Sequence, residues 1–140
     1  MSAEFCDTNV VVYAYDATAG IKHHRAQELL QRLWVSGEGI LSIQVLQELF
    51  VSLTRKIPHP LSIPAAREII ADMSTWPVIE ATRDDVLEAI DGTVRWQVSF
   101  WDAMMLTAAK KAQASTLWSE DLNDGQSYDG TTVHNPFTPE

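Results

Sequence analysis

Four acidic residues of this sequence, Asp7, Glu48, Asp102 and Asp121, come from remote segments yet fall where one site could gather them. Asp7 follows the short apolar segment Ala3-Glu4-Phe5-Cys6, and Asp121 follows Ser115-Thr116-Leu117-Trp118 after two further polar residues. If those segments are parallel strands, both acids lie beyond strand carboxyl ends, where open α/β sheets bind ligands. Glu48 and Asp102 sit in the first or second turn of helices that begin near the same edge. Carboxylates brought that close repel, and at neutral pH they need a cation or raised pKa values. All-oxygen ligation suits Mg²⁺ or Mn²⁺, not zinc or copper. One or two such ions activate water and stabilise a developing oxyanion.

Taken singly, each acid also has an ordinary structural role. Asp7 or Thr8 can act as the N-cap of the next helix. Glu48 can be a boundary residue of an amphipathic helix. Ser99-x-x-Asp102 has the spacing of a capping box, and Asp121 lies in a stretch of turn residues, Ser119 to Gly125. No single acid makes the case; the combination does.

The elements that must position them read as follows. The strand before Asp7 leads into Asp7-Thr8-Asn9, a cluster of capping residues, and then a short helix ending near Asp16 to Gly20. Ile21 to Val35 is helical, with Ala26, Leu29, Leu30 and Leu33 at three-to-four spacing. Ile40-Leu41 is a buried strand, and a helix from about Ile43 to Lys56 follows before Pro58 and Pro60. Pro64 opens another helix to about Met73. Trp76-Pro77-Val78-Ile79 reads as a strand that its proline confines to a sheet edge. Thr82 to Asp85 is a capping box opening a helix to about Trp96, and Ser99 caps a helix from Phe100 to about Gln113. Ser115 to Trp118 is a strand, and Thr131-Thr132-Val133 a last edge strand. Strands alternating with helices predict an α/β fold with a parallel sheet covered on both faces.

Composition narrows the class. With 140 residues and 46% hydrophobic content, the chain is expected to form one domain with a single sizeable core. Its start lacks a basic segment followed by a long apolar one, and the longest apolar runs are too short to span a bilayer. One cysteine, Cys6, leaves no internal disulfide and no cysteine-based zinc site. A cytoplasmic protein is therefore expected. The net charge of −9 weighs against a non-specific nucleic-acid binder, whose surface is normally basic. It does not weigh against a metal-dependent nuclease, because bound cations cancel clustered carboxylates locally.

Four segments, in this order, resemble the PIN-domain family: Phe5-Cys6-Asp7-Thr8-Asn9, Ser42 with Glu48 six residues on, Ser99-Phe100-Trp101-Asp102-Ala103, and Trp118 to Gly125. Within that family they are most similar to its VapC-like toxin ribonucleases. The resemblance spans nearly the whole chain, and the ordered set is specific where any one motif is not. It implies a three-layer sandwich around a mostly parallel five-stranded sheet in the order 3-2-1-4-5. It also implies an acidic site of Asp7, Glu48, Asp102 and Asp121 for Mg²⁺ or Mn²⁺, supported by Thr8, Asn9 and Ser119, with Asp124 as an extra acid. The activity implied is hydrolysis of RNA phosphodiesters by a homodimeric toxin, restrained by a small antitoxin laid across its groove. Leu46, Leu49, Phe50 and Leu53 offer more apolar surface than one small sheet requires, which leaves room for an interface.

Two other readings use the same features. A phosphoacceptor receiver domain should show paired acids after its first strand and a lysine after its last, and neither is in place. A non-catalytic RNA-binding or scaffold domain of the same fold would bind RNA and leave it uncut. The remaining conspicuous residues fit structural roles. His23 and His24 are adjacent on a helix and do not share a face, and His59 and His134 lie in loops. Most of Trp34, Trp76, Trp96, Trp101 and Trp118 suit core or interface positions, and Cys6 suits the core. Lys110 and Lys111 read as a solvated helix face.

Overall fold

Short apolar strands that must hide both faces are threaded here between capped amphipathic helices. The computed structural model describes residues 2–138. Strand β1 (Glu4–Cys6) enters α1 (Thr8–Tyr15), and α2 (Ile21–Ser36) returns the chain to β2 (Gly39–Ser42). Then follow α3 (Ile43–Val51), a π-helical stretch (Ser52–Lys56), α4 (Ile63–Met73) and β3 (Val78–Ile79). The chain continues through α5 (Arg83–Trp96), α6 (Phe100–Lys111), β4 (Thr116–Trp118), β5 (Ser127–Tyr128) and β6 (Thr131–His134).

The strands form one sheet in the order β3-β2-β1-β4-β6-β5, parallel throughout except for the antiparallel pair β5 and β6. This is the expected α/β fold with a mostly parallel sheet, but with six strands in place of five. The sixth is a two-residue hairpin partner, Ser127–Tyr128, too short to leave an alternating pattern in the sequence. It covers the outer side of β6, so the Thr131 strand is internal and not the edge expected of it. β3, with Pro77 just before it, is an edge as its proline demanded.

Helices flank this sheet: α1 packs on α2 and α3, α4 on α3, and α5 on α6. Phe5, Cys6, Leu41, Leu117 and Val133 on the strands are fully buried, together with Leu33, Leu49, Leu53 and Leu106 on the helices. Leu49 and Leu53 therefore belong to the core, with Leu46 and Phe50 partly buried against it. The apolar surface expected of these four residues is not there, because α3 is gripped between α1 and α4. Exposed apolar side chains lie elsewhere, as a stripe of Leu87, Ile90 and Val94 on α5.

Gly39 shows how tightly the edge is built. A Cβ at this position would meet the Trp76 ring at 2.5–2.8 Å, and Trp76 is itself buried. Gly39→Ala is expected to cost about 1–3 kcal/mol through overpacking. The melting temperature should fall by roughly 3–10 °C, with a red shift in tryptophan fluorescence.

Candidate active site

The sharp transition from β1 into α1 puts Asp7 at the floor of a cleft. Its backbone N–H donates to the Trp118 carbonyl (2.9 Å), which ties the ends of β1 and β4 together. Its side chain is the N-cap of α1, accepting from Thr8 N–H at 2.6 Å. The structural and the chemical readings of this residue are thus compatible, since capping uses Oδ1 while Oδ2 faces other donors. Ser119 Oγ, fully buried, donates to Oδ2 at 2.7 Å, and Asn9 Nδ2 approaches it at 3.3 Å.

The other acids reach the same cleft from their own elements. Glu48 stands in the second turn of α3, which Ser42 caps by accepting from Val45 N–H, and its Oε1 accepts from Thr8 Oγ1 at 2.6 Å. Asp121 follows β4, accepts from Asn9 Nδ2 at 3.0 Å and donates its backbone N–H to Ser119 Oγ at 3.1 Å. Asp102 lies in the first turn of α6, where its backbone N–H donates to Ser99 Oγ at 3.1 Å. At Thr82 and Asp85 the same spacing closes a reciprocal capping box. At Ser99 and Asp102 only the serine half forms, and the Asp102 carboxylate faces the cleft.

Asp7, Glu48, Asp102 and Asp121 all line this cleft of about 600 Å³. Thr8 and Asn9 line it too, and Ser119 lies beneath. Asp124 does not line it. Its Oδ1 accepts from Asn135 N–H at 3.0 Å, so it staples a loop. Burial pushes the Asp7 carboxyl up to about 7; the Ser119 and Thr8 bonds pull it down, while the charges of Asp121 and Asp102 push it further up. Asp102 is also raised, first by burial and then by Asp121 and Glu48. These are the shifts expected where carboxylates are crowded out of water.

The donor set is all oxygen, which fits a hard divalent cation. Among the described residues, however, no three His, Cys, Asp or Glu side chains stand ready to chelate one ion. Asn9 Nδ2 bridges Asp7 and Asp121, and Thr8 holds one Glu48 oxygen. A cation would have to take over from these polar partners.

Several cleft residues escaped the sequence reading. Gln44, Ser52 and Lys56 recur every four residues in line with the expected Glu48, and all line the cleft. In a straight α-helix a four-residue step overshoots the 3.6-residue turn, so such a stripe drifts around the axis. The π-helical stretch, closed by Ile57 N–H on the Ser52 carbonyl (3.1 Å), widens the turn and returns Lys56 to the cleft. The polar four-residue repeat was the available signal. Asp16 lines the cleft as well, but it caps the next turn through Thr18. Lys110 and Lys111 are held by Glu88 and Asp129 and by Asp85, away from the cleft. Of the tryptophans, Trp76 is buried, whereas Trp34 and Trp101 are exposed.

Comparison with known proteins places this geometry. The profile of the PIN domain matches residues 5–123. Comparison with curated protein sequences gives no match. Among solved structures, the Mycobacterium tuberculosis toxin VapC20, described as cleaving the sarcin–ricin loop, is 24% identical with a TM-score of 0.65. That likeness covers 85% of this chain and 90% of the other. A toxin–antitoxin complex from Klebsiella pneumoniae is 18% identical, TM-score 0.72, covering 97% and 98%. FitAB bound to an IR36 DNA fragment is 14% identical, TM-score 0.69, covering 98% and 97%. At these identities the solved structures establish a shared fold. The profile spans most of the chain, from β1, which Asp7 follows, to the turn that carries Asp121, and the chain belongs to the PIN domain family.

Proposed function

We propose that this chain is a metal-dependent endoribonuclease, the toxin of a toxin–antitoxin pair acting in the cytoplasm. The observation that carries the reading is Asp7, a buried carboxylate pushed up to about 7 at the floor of a cleft lined by three more acids. Such a group is costly in a bare protein interior and well suited to a hard cation. Asp7 and Asp102 would hold Mg²⁺ or Mn²⁺ directly, with Glu48 and Asp121 completing the shell or acting through water. The cation supplies a water of lowered pKa and stabilises charge on the leaving oxygen. Thr8, Asn9 and Ser119 orient the carboxylates from behind, and their hydrogen bonds keep the rotamers fixed. The descriptions of the VapC20 toxin and of the toxin–antitoxin complex support RNA as substrate and a small antitoxin as partner. A homodimer fits the exposed stripe of Leu87, Ile90 and Val94. Among the described residues no helix is long and apolar enough to cross a membrane.

Purified protein incubated with total cellular RNA is expected to cut it in Mg²⁺ or Mn²⁺ and to leave it whole in EDTA, with discrete mapped ends. RNA that is bound yet intact in Mn²⁺ would instead identify a non-catalytic binding domain.

Lys56 gives this reading a second handle. Among the described residues it is the cleft-lining cation, and it forms no ion pair. It is placed to neutralise a phosphate flanking the scissile one. Lys56→Gln should raise KM about tenfold with little change in kcat. The slope of log kcat/KM against log salt should weaken by about 0.7, the value for one contact to a single strand.

A further inference from the structure

A second cavity, of about 280 Å³, adjoins the acidic cleft between the start of α3, the end of β3 and α6. Gln44, Gln47 and Trp101 line both spaces, so the cavity is a side pocket of the cleft. Three features set it apart from packing slack. Trp101 leaves 61% of its surface exposed, a large indole face at the junction. Thr107, which lines the pocket, is only 2% exposed, and its buried Oγ1 has no hydrogen-bond partner among the described residues. A buried hydroxyl left unpaired is costly unless a ligand or water completes it. At the mouth, the Glu80 carboxylate makes no ion pair or hydrogen bond among the described residues, while Asp85 is taken up by Thr82 and Lys111.

We propose that this side pocket receives one unstacked base of the RNA beside the scissile phosphate, and that it prefers guanine. The proposal rests on the ribonuclease reading above. Sequence-selective RNA recognition works on splayed bases, stacked on aromatic or guanidinium planes and hydrogen-bonded along their edges. The volume falls just below the usual range of small-molecule pockets, about 300–1,000 Å³, which suits one base rather than two. Trp101 supplies the stacking plane. Glu80 supplies a free pair of acceptor oxygens, and guanine presents two adjacent donors, N1–H and N2–H₂, to match them. A turn of the Thr107 side chain about χ1 would bring its buried Oγ1 to the pocket wall and to a polar atom of the base. Uracil has one N–H between two carbonyls, which would face the carboxylate unfavourably.

The test uses the full chain in EDTA with GMP, AMP, CMP and UMP, read by NMR. The Trp101 indole N–H signal is identified by its absence in Trp101→Phe. GMP is expected to shift the Trp101 and Thr107 signals, and UMP at the same concentration to leave them in place. Glu80→Gln and Thr107→Val, at an exposed mouth and with a near-isosteric side chain respectively, should each weaken GMP binding about tenfold. In the RNA digest, wild-type cuts should cluster beside guanine, and Glu80→Gln should lose that clustering. Equal shifts from all four nucleotides, or shifts confined to the acidic cleft, would overturn the proposal. So would a dimer in sedimentation that Trp101→Ala converts to a monomer, which would assign this face to a second copy. Cleavage whose site choice is untouched by Glu80→Gln and Thr107→Val removes the base pocket while leaving the ribonuclease intact. Absence of any cleavage removes the ribonuclease reading, and the nucleotide titration then decides the pocket separately.

Discussion

Asp7→Asn is expected to abolish the proposed metal-dependent RNA cleavage and, in EDTA at pH 8, to make the protein more stable than wild type. The two effects share one cause. The folded protein holds the Asp7 carboxyl at about 7, against 3.8 for an ordinary aspartate, so folding favours its protonated form. Below pH 3.8 folded and unfolded chains both carry the proton, and the residue imposes no penalty. As pH rises from 3.8 to 7 the unfolded chain ionises first, and stability is lost progressively; above 7 the loss is complete. Asparagine stays neutral throughout, so the variant's stability is flat across this window. At about 1.36 kcal/mol per pKa unit, reduced for the acceptor that Ser119 and Asn9 lose, the gain is on the order of 2–4 kcal/mol. That corresponds to roughly 5–15 °C in melting temperature. Adding Mg²⁺ should narrow the gap, because only wild type gains from binding it. Full cleavage by the variant would remove Asp7 from the chemistry. Equal melting temperatures at pH 5 and 8 for both proteins would remove the buried charge.

Ser119→Ala is expected to produce the second large effect, without touching a carboxylate. The Ser119 hydroxyl donates to Asp7 Oδ2 and accepts from Asp121 N–H, so one buried atom sets the geometry of two acids. It is also the foremost influence that favours the ionised form of Asp7, so its loss pushes that carboxyl further up. Cation binding needs the ionised form. The acidic limb of the activity profile should therefore shift to higher pH, and the Mg²⁺ concentration for half-maximal activity should rise about 10–100-fold. Much of the lost activity should return at high pH and high Mg²⁺. A uniform loss, with the pH profile unmoved, would reduce Ser119 to a packing residue.

These effects depend on side chains whose neighbours differ in how readable they were. The caps Asp7, Thr82 and Ser99 were legible because a cap bonds an amide only one to three residues further on. The edge position of β3 was legible because proline lacks an amide donor. The β5 hairpin strand was not, since two residues carry no period. The apolar run Leu46 to Leu53 announced burial but not the partner, and α1 and α4 took the surface that seemed free for another chain. Asp124 was grouped with the acids by the family resemblance, and the loop claims it through Asn135.

The pair of Ser/Thr-x-x-Asp motifs shows where this boundary lies. Thr82-x-x-Asp85 and Ser99-x-x-Asp102 have the same spacing, and each starts its helix. Residue order alone thus decides that α5 and α6 begin where they do, because capping is a short-range bond. In the fold, Asp85 closes its cap and meets Lys111, whereas Asp102 leaves its cap half made and joins Glu48 and Asp121. The competing bonds are of similar strength, about 1 kcal/mol each, so local preference does not choose between them. Remote segments do: a lysine 26 residues away holds one carboxylate, and two acids from other elements surround the other. Elements and their starts follow from neighbours along the chain; the acidic cleft exists because β1, α3, α6 and β4 bring their ends to one place.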